Sequence, residues 1–171
     1  EVDEEPMNNV TSYSVFVSDS VYARDNGVFQ QNIGIGAGEA GFIGTAYTIV
    51  NPIHVSSISV LIGNQAADIT GNAFSVAIFS TDGAGTPVAS LASADGVVSS
   101  GVEQWHTVQL NPPVYLTPGE YVFTVSESTD WTQQIGTSLS IVTPNKNWAS
   151  WTSFAWATFD ALGVGNLTCM I

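Results

Sequence analysis

Alternation with a period of two runs through almost every apolar stretch of this chain, and no stretch carries the 3.6-residue stripe of an amphipathic helix. Ile58, Val60 and Ile62 fall on one side of a run in which Ser57, Ser59 and Leu61 fall on the other. Phe74, Val76 and Ile78 alternate with Ser75, Ala77 and Phe79, and Tyr121, Phe123 and Val125 with Val122 and Thr124. His106, Val108 and Leu110 oppose Trp105, Thr107 and Gln109. On a strand successive side chains point to opposite faces, so each run buries one face and wets the other. Tyr13–Val17, Phe42–Ile49, Val88–Ala92, Leu139–Val142 and Leu167–Ile171 read as further strands.

Turn residues punctuate these runs: Asp25-Asn26-Gly27, Asn51-Pro52, Asp82-Gly83, Gly85-Thr86-Pro87, Asp95-Gly96, Pro112-Pro113 and Pro118-Gly119. About nine to eleven strands at this spacing predict an all-β fold, a two-sheet antiparallel sandwich of jelly-roll type. The expected core is Ile58, Val60, Ile62, Phe74, Val76, Ile78, Val108, Leu110, Tyr121, Phe123 and Val125. With no internal repeat and no linker, residues 1–171 read as a single domain, residues 1–10 being a polar lead-in or a donated segment.

Charge limits the partners. Fifteen acidic residues face two basic ones, Arg24 and Lys146, for a net charge of −13. Such a chain is repelled by nucleic acid and anionic lipid, and two cations make no basic patch. Other protein subunits, surface glycans and divalent cations remain as partners. Charged residues are only 10% of the chain, against about 25% in an average domain. Ser, Thr, Asn and Gly take their place, a mix that suits strands and turns. No run of about 18 apolar residues could cross a membrane as a helix, so no membrane insertion is expected. Cys169 cannot form an internal disulfide by itself and reads as a small buried hydrophobe on the last strand. Asn9-Val-Thr11 and Asn166-Leu-Thr168 fit the N-glycosylation sequon.

Three stretches carry a family resemblance. They are Ile58-Ser-Val-Leu-Ile62, then Phe74-Ser-Val-Ala-Ile-Phe-Ser-Thr-Asp-Gly-Ala-Gly-Thr-Pro-Val-Ala-Ser-Leu91, then Trp105-His-Thr-Val-Gln-Leu110 with Leu116-Thr-Pro-Gly-Glu-Tyr-Val-Phe-Thr-Val125. Over roughly residues 41–130 this order resembles the jelly-roll-like β-sandwich modules of bacterial exported and cell-surface proteins, the choice-of-anchor-type and adhesin domains. The resemblance implies an extracellular, secreted or cell-surface location and a sandwich architecture. It carries over no catalytic residue.

The residues themselves offer little catalytic apparatus. His54 and His106 are the only histidines, no Gly-x-Ser-x-Gly elbow occurs, and Glu103, Glu120, Glu127 and Asp130 form no distinctive carboxylate pair. The chain is therefore expected not to be an enzyme. Calcium is the one cofactor the loops suggest, through Asp19, Asp25 and Asp82, although Asx turns explain the last two equally well. Trp131, Trp148, Trp151 and Trp156 fall within 26 positions. If exposed, their faces would stack sugar rings beside amides and hydroxyls; if buried, they fill the core. Same-parity spacing would put Trp148, Phe154 and Trp156 on one face and Trp151 on the other. Sparse Lys leaves strand edges unguarded, so Tyr13–Val17 could be donated to a neighbour in a homo-oligomer or filament. The sequence thus points to a non-catalytic surface module for adhesion or structural assembly, with a carbohydrate-binding module using exposed Trp residues as the alternative.

Overall fold

The computed structural model describes residues 21–36, 38–63, 68–100, 103–130, 134–139, 143–152, 154–165 and 167–171. The Tyr13–Val17 run, the 1–10 lead-in, Asp19, Trp131 and the sequon residues Asn9 and Asn166 lie outside them.

The described residues form eleven strands and two antiparallel sheets. One sheet runs β1 (Gln31–Ile33), β8 (Ile135–Ser138), β3 (Ile53–Ile62), β6 (Gln104–Leu116), with β11 (Thr168–Cys169) also paired to β8. The other runs β10 (Phe154–Thr158), β9 (Asn147–Trp151), β2 (Gly41–Ile49), β7 (Gly119–Glu127), β4 (Ala73–Thr81), β5 (Pro87–Val97). The chain crosses between sheets from β2 to β3 and again from β6 to β7. Those four strands pair β2 with β7 and β3 with β6, the folded-over hairpin of a jelly roll.

The alternation lands where the period placed it. Ile58, Val60, Ile62, Val108 and Leu110 face Phe74, Val76, Ile78, Phe123 and Val125 across the sandwich, all buried, with Tyr121 half-buried against them. Each fully buried Val, Ile or Phe contributes about 1.5–3 kcal/mol relative to exposure, so these two inner faces dominate the stability.

Three departures have local causes. Leu61, on the outward face of β3, is buried with its side chain against Gly136 of the neighbouring strand β8, where a Cβ would lie 2.5 Å from Leu61 Cδ2 and force that side chain to move. Ile135–Ser138 form a strand that the sequence did not mark, because all four residues are buried and no alternation shows. Leu139 is exposed, and residues 140–142 are outside the described set. Pro112-Pro113, read as a turn, sits inside β6. That strand ends the path of its sheet, and the ladder with β3 is irregular there, jumping from Ser57–Gln109 to Val55–Val114. An edge position and a bulge are where a strand tolerates proline.

Cys169 is fully buried, as the sequence suggested, and burial holds its thiol far above the ordinary range. Glu127 anchors the segment before β2: its carboxylate accepts from Ile35 N at 2.7 Å and Gly36 N at 3.2 Å. Burial raises its pKa above the ordinary 4.5, and those two N–H groups partly offset the rise. A raised folded-state value means that Glu127's contribution is fully present below the unfolded pKa and is lost as pH rises through the folded one. Stability of Glu127→Gln relative to the parent should therefore grow as pH climbs from the low to the neutral side of that window. Urea unfolding of both proteins at about pH 4 and about pH 7 reads this difference. A difference that stays flat or shrinks refutes it.

Candidate functional site

The tryptophans divide between packing and exposure in a way parity alone does not give. Trp148 lies on the outward face of the six-stranded sheet, paired with Gly44 on β2, and is buried with Ala46 and Val122. Trp156 joins that cluster, with Phe79 edge-on at 5.2 Å and Phe42 stacked at 6.2 Å. Trp148 and Trp156 share a face, with Trp151 on the other, as parity expects; Phe154 is the correction. A register shift between Phe154 and Ala157 breaks the alternation within β10, so Phe154 pairs with Trp151 and stacks on it at 4.5 Å. Trp151 itself is half-buried against the main core.

Among the described residues the exposed indole is Trp105, 45% accessible. It stands on the outward face of β6, paired with Leu61 on β3, while its neighbour His106 points inward. His106 Nε2 accepts from Ser99 N at 3.0 Å, which leaves Nδ1 to donate to the Gln104 carbonyl at 3.0 Å, and Phe74 packs edge-on at 6.0 Å. Both ring nitrogens are therefore occupied, one by Ser99 and one by Gln104. The alternation that put Trp105 opposite His106, Val108 and Leu110 was enough to expose it. The tryptophan cluster further along the chain drew attention away.

Trp105 borders a cleft of about 520 Å³, within the size range of small-ligand sites. Its apolar floor comes from the six-stranded sheet, through Tyr47, Ile49 and Phe123. Tyr47 is buried, meets Phe123 edge-on at 5.2 Å and donates its hydroxyl to the Ile171 carbonyl. That burial, reinforced by the nearby Asp25 charge, holds the phenol well above its ordinary pKa, so it stays protonated and committed. The polar wall is β3, where Ile53 to Ser59 line the cleft without a gap and supply the hydroxyls of Ser56, Ser57 and Ser59. Ser59 Oγ lies 2.8 Å from Thr107 Oγ1, joining β3 to the face that carries Trp105. His54 stands at the rim, its ring 5.0 Å from Tyr115, and Tyr22 and Asp25 close the far side.

Of the carboxylates suggested for calcium, Asp19 lies outside the described residues, and Asp25 and Asp82 each accept hydrogen bonds within their own turns. Asp82 Oδ1 accepts from Ala84 N at 2.8 Å and Thr86 N at 2.9 Å within its own turn, and those bonds, Thr86 first, hold its pKa below the ordinary range. Asp25 Oδ1 accepts from Gly27 N at 2.8 Å. Among the described residues no three His, Cys, Asp or Glu side chains gather as a metal site.

No family model and no curated protein matches the chain. The fold is similar to part of a solved chain comprising the cysteine protease and lectin-like domains of Cwp84, a surface layer associated protein of Clostridium difficile, with a TM-score of 0.60 and 11% identity. That likeness covers 77% of this chain and 31% of the other, so this chain spans about a third of its length. The expectation that this chain is not an enzyme is corrected by that finding, because the similar chain includes a protease domain. The expectation rested on missing linear motifs, whereas catalytic groups are recognised by geometry and assemble from distant positions. At 11% identity the likeness shows the β-sandwich fold alone.

Proposed function

We propose that this chain is an extracellular surface module for adhesion that holds a carbohydrate in the cleft between β3, Trp105 and the 22–25 segment. The observation that carries the reading is the exposed Trp105 indole beside a row of serine and threonine hydroxyls. A pyranose offers an apolar C–H face that packs on an aromatic ring and a rim of hydroxyls that exchange hydrogen bonds with such a row. The net charge of −13 disfavours acidic glycans and leaves neutral or basic ones. A lectin-like domain in the solved chain of similar fold is in keeping with this reading.

The test is a glycan array followed by calorimetry on Trp105→Ala. Binding should weaken by at least about tenfold, the scale for losing an exposed aromatic anchor. Stability should stay within about 0.5 kcal/mol, as for a surface substitution. Undiminished affinity in the variant refutes the site. Assembly is the second reading, favoured by the edge of β3. Leu61 N donates to Met170 O, but among the described residues no strand pairs that edge from Ile53 to Ser59. Light scattering on the same samples separates the two: a defined oligomer without glycan affinity would move the function to strand addition.

A further inference from the structure

We propose that the glycan is a straight, uncharged polysaccharide chain, held at two aromatic platforms, Trp105 and Tyr115, at the two ends of one strip on the outward face of β3 and β6. This rests on the reading of the Trp105 cleft as a carbohydrate site and extends it. On β6, His106, Val108, Leu110 and Leu116 are buried, whereas Trp105, Thr107, Gln109 and Tyr115 are exposed, so both rings stand on the same side of the strand. Tyr115 is the more open of the two, at 56%. A single sugar on Trp105 leaves it unused.

The pairing with β3 sets the spacing. Trp105 lies opposite Leu61 and Tyr115 opposite His54. The interval from position 54 to position 61 on β3, shortened by the irregularity between Val55 and Ser57, spans about 20 Å, roughly the reach of four linked pyranoses. His54 packs against the Tyr115 ring at 5.0 Å and supports it from β3. Between the two ends stand polar groups without charge: Ser59 and Thr107 share a hydrogen bond at 2.8 Å, and Ser57 lies opposite Gln109. Neither strand contains an Asp, Glu, Lys or Arg, in a chain whose net charge is −13. A charged ligand would give up water on this strip without meeting an opposite charge, whereas the hydroxyls of a neutral chain exchange hydrogen bonds with Ser, Thr and Gln. The C–H faces of its outer rings pack on Trp105 and Tyr115.

The experiment is calorimetry on the full chain at about 0.15 M salt, which screens the field of the acidic protein. The probes are the disaccharide and hexasaccharide of β-1,4-linked glucose and of β-1,4-linked N-acetylglucosamine. The α-1,4-linked glucose hexasaccharide, which coils instead of running straight, is the shape control. The parent should bind the hexasaccharide of one β-linked series at least about tenfold more tightly than its disaccharide, because only the longer chain engages both rings at once. Tyr115→Ala should bring that ratio to within about twofold of one, and Tyr115→Phe should restore it, since the ring rather than the hydroxyl stacks. Val88→Ala, at a 60% exposed position on β5 of the other sheet, should keep the parental ratio. Affinity that does not grow with length in the parent, or that still grows in Tyr115→Ala, overturns the second platform and leaves the Trp105 cleft standing. Failure of Tyr115→Phe to restore the ratio overturns stacking as the role of Tyr115. An α-linked hexasaccharide bound as tightly as the β-linked ones overturns the straight strip. Binding of no oligosaccharide overturns both readings.

Discussion

Replacing Asn147 with alanine is expected to cost about 4 kcal/mol of folding stability. Asn147 points inward from β9 and is only 4% exposed. Its Oδ1 accepts from the Thr45 hydroxyl and from Cys169 N at 3.2 Å, and its Nδ2 donates to the Leu167 carbonyl at 2.9 Å. One side chain therefore ties β9 and β2 of one sheet to the C-terminal strand of the other. Truncation leaves three buried groups without partners, each costing about 1–3 kcal/mol, reduced by whatever relaxation the site allows. Urea unfolding followed by tryptophan fluorescence reads the loss as a lower midpoint with an unchanged slope. A cost below about 1 kcal/mol would mean that water replaces the amide and that the tie contributes little. Asn147→Asp should be at least as damaging, because it removes the donor to Leu167 and buries a charge.

Ile62→Ala should cost about 3–4 kcal/mol, by a different mechanism. Ile62 is completely buried where three strands meet, paired with Gln104 on β6 and Ile135 on β8. Neighbours pinned in ladders on both sides cannot collapse into the space, so the lost transfer energy is joined by a cavity term. For a domain with a typical stability of about 5–15 kcal/mol, that is a large share of the whole. Leu91→Ala on β5 is the control: the side chain is 48% exposed, and its loss should move stability by no more than about 0.5 kcal/mol. Denaturant midpoints measured side by side decide it. Equal effects at the two positions would place the stabilising core somewhere other than between the sheets.

The amino-acid order alone determined which residues turn inward on the long central strands. Ile58, Val60, Ile62, Val76, Ile78, Val108 and Val125 are all buried where the period of two placed them, because side-chain direction along a strand is a local property of the backbone. The same local rule put Trp105 in solvent. It failed where burial comes from a neighbouring chain segment. Ile135–Ser138 are covered on both faces and so show no alternation, and Leu61 is buried with its side chain against the bare Gly136 of the neighbouring strand. Trp148 and Trp156 lost their apparent availability to Phe42 and Phe79, residues about 70 to 110 positions away that share only the outward face of one sheet. Only the tertiary structure could bring Asp25, the 53–59 edge and Trp105 around one cleft, because no period connects positions so far apart. Their meeting depends on strand order and on crossings between sheets, which are set by packing the whole chain rather than by the preferences of any segment.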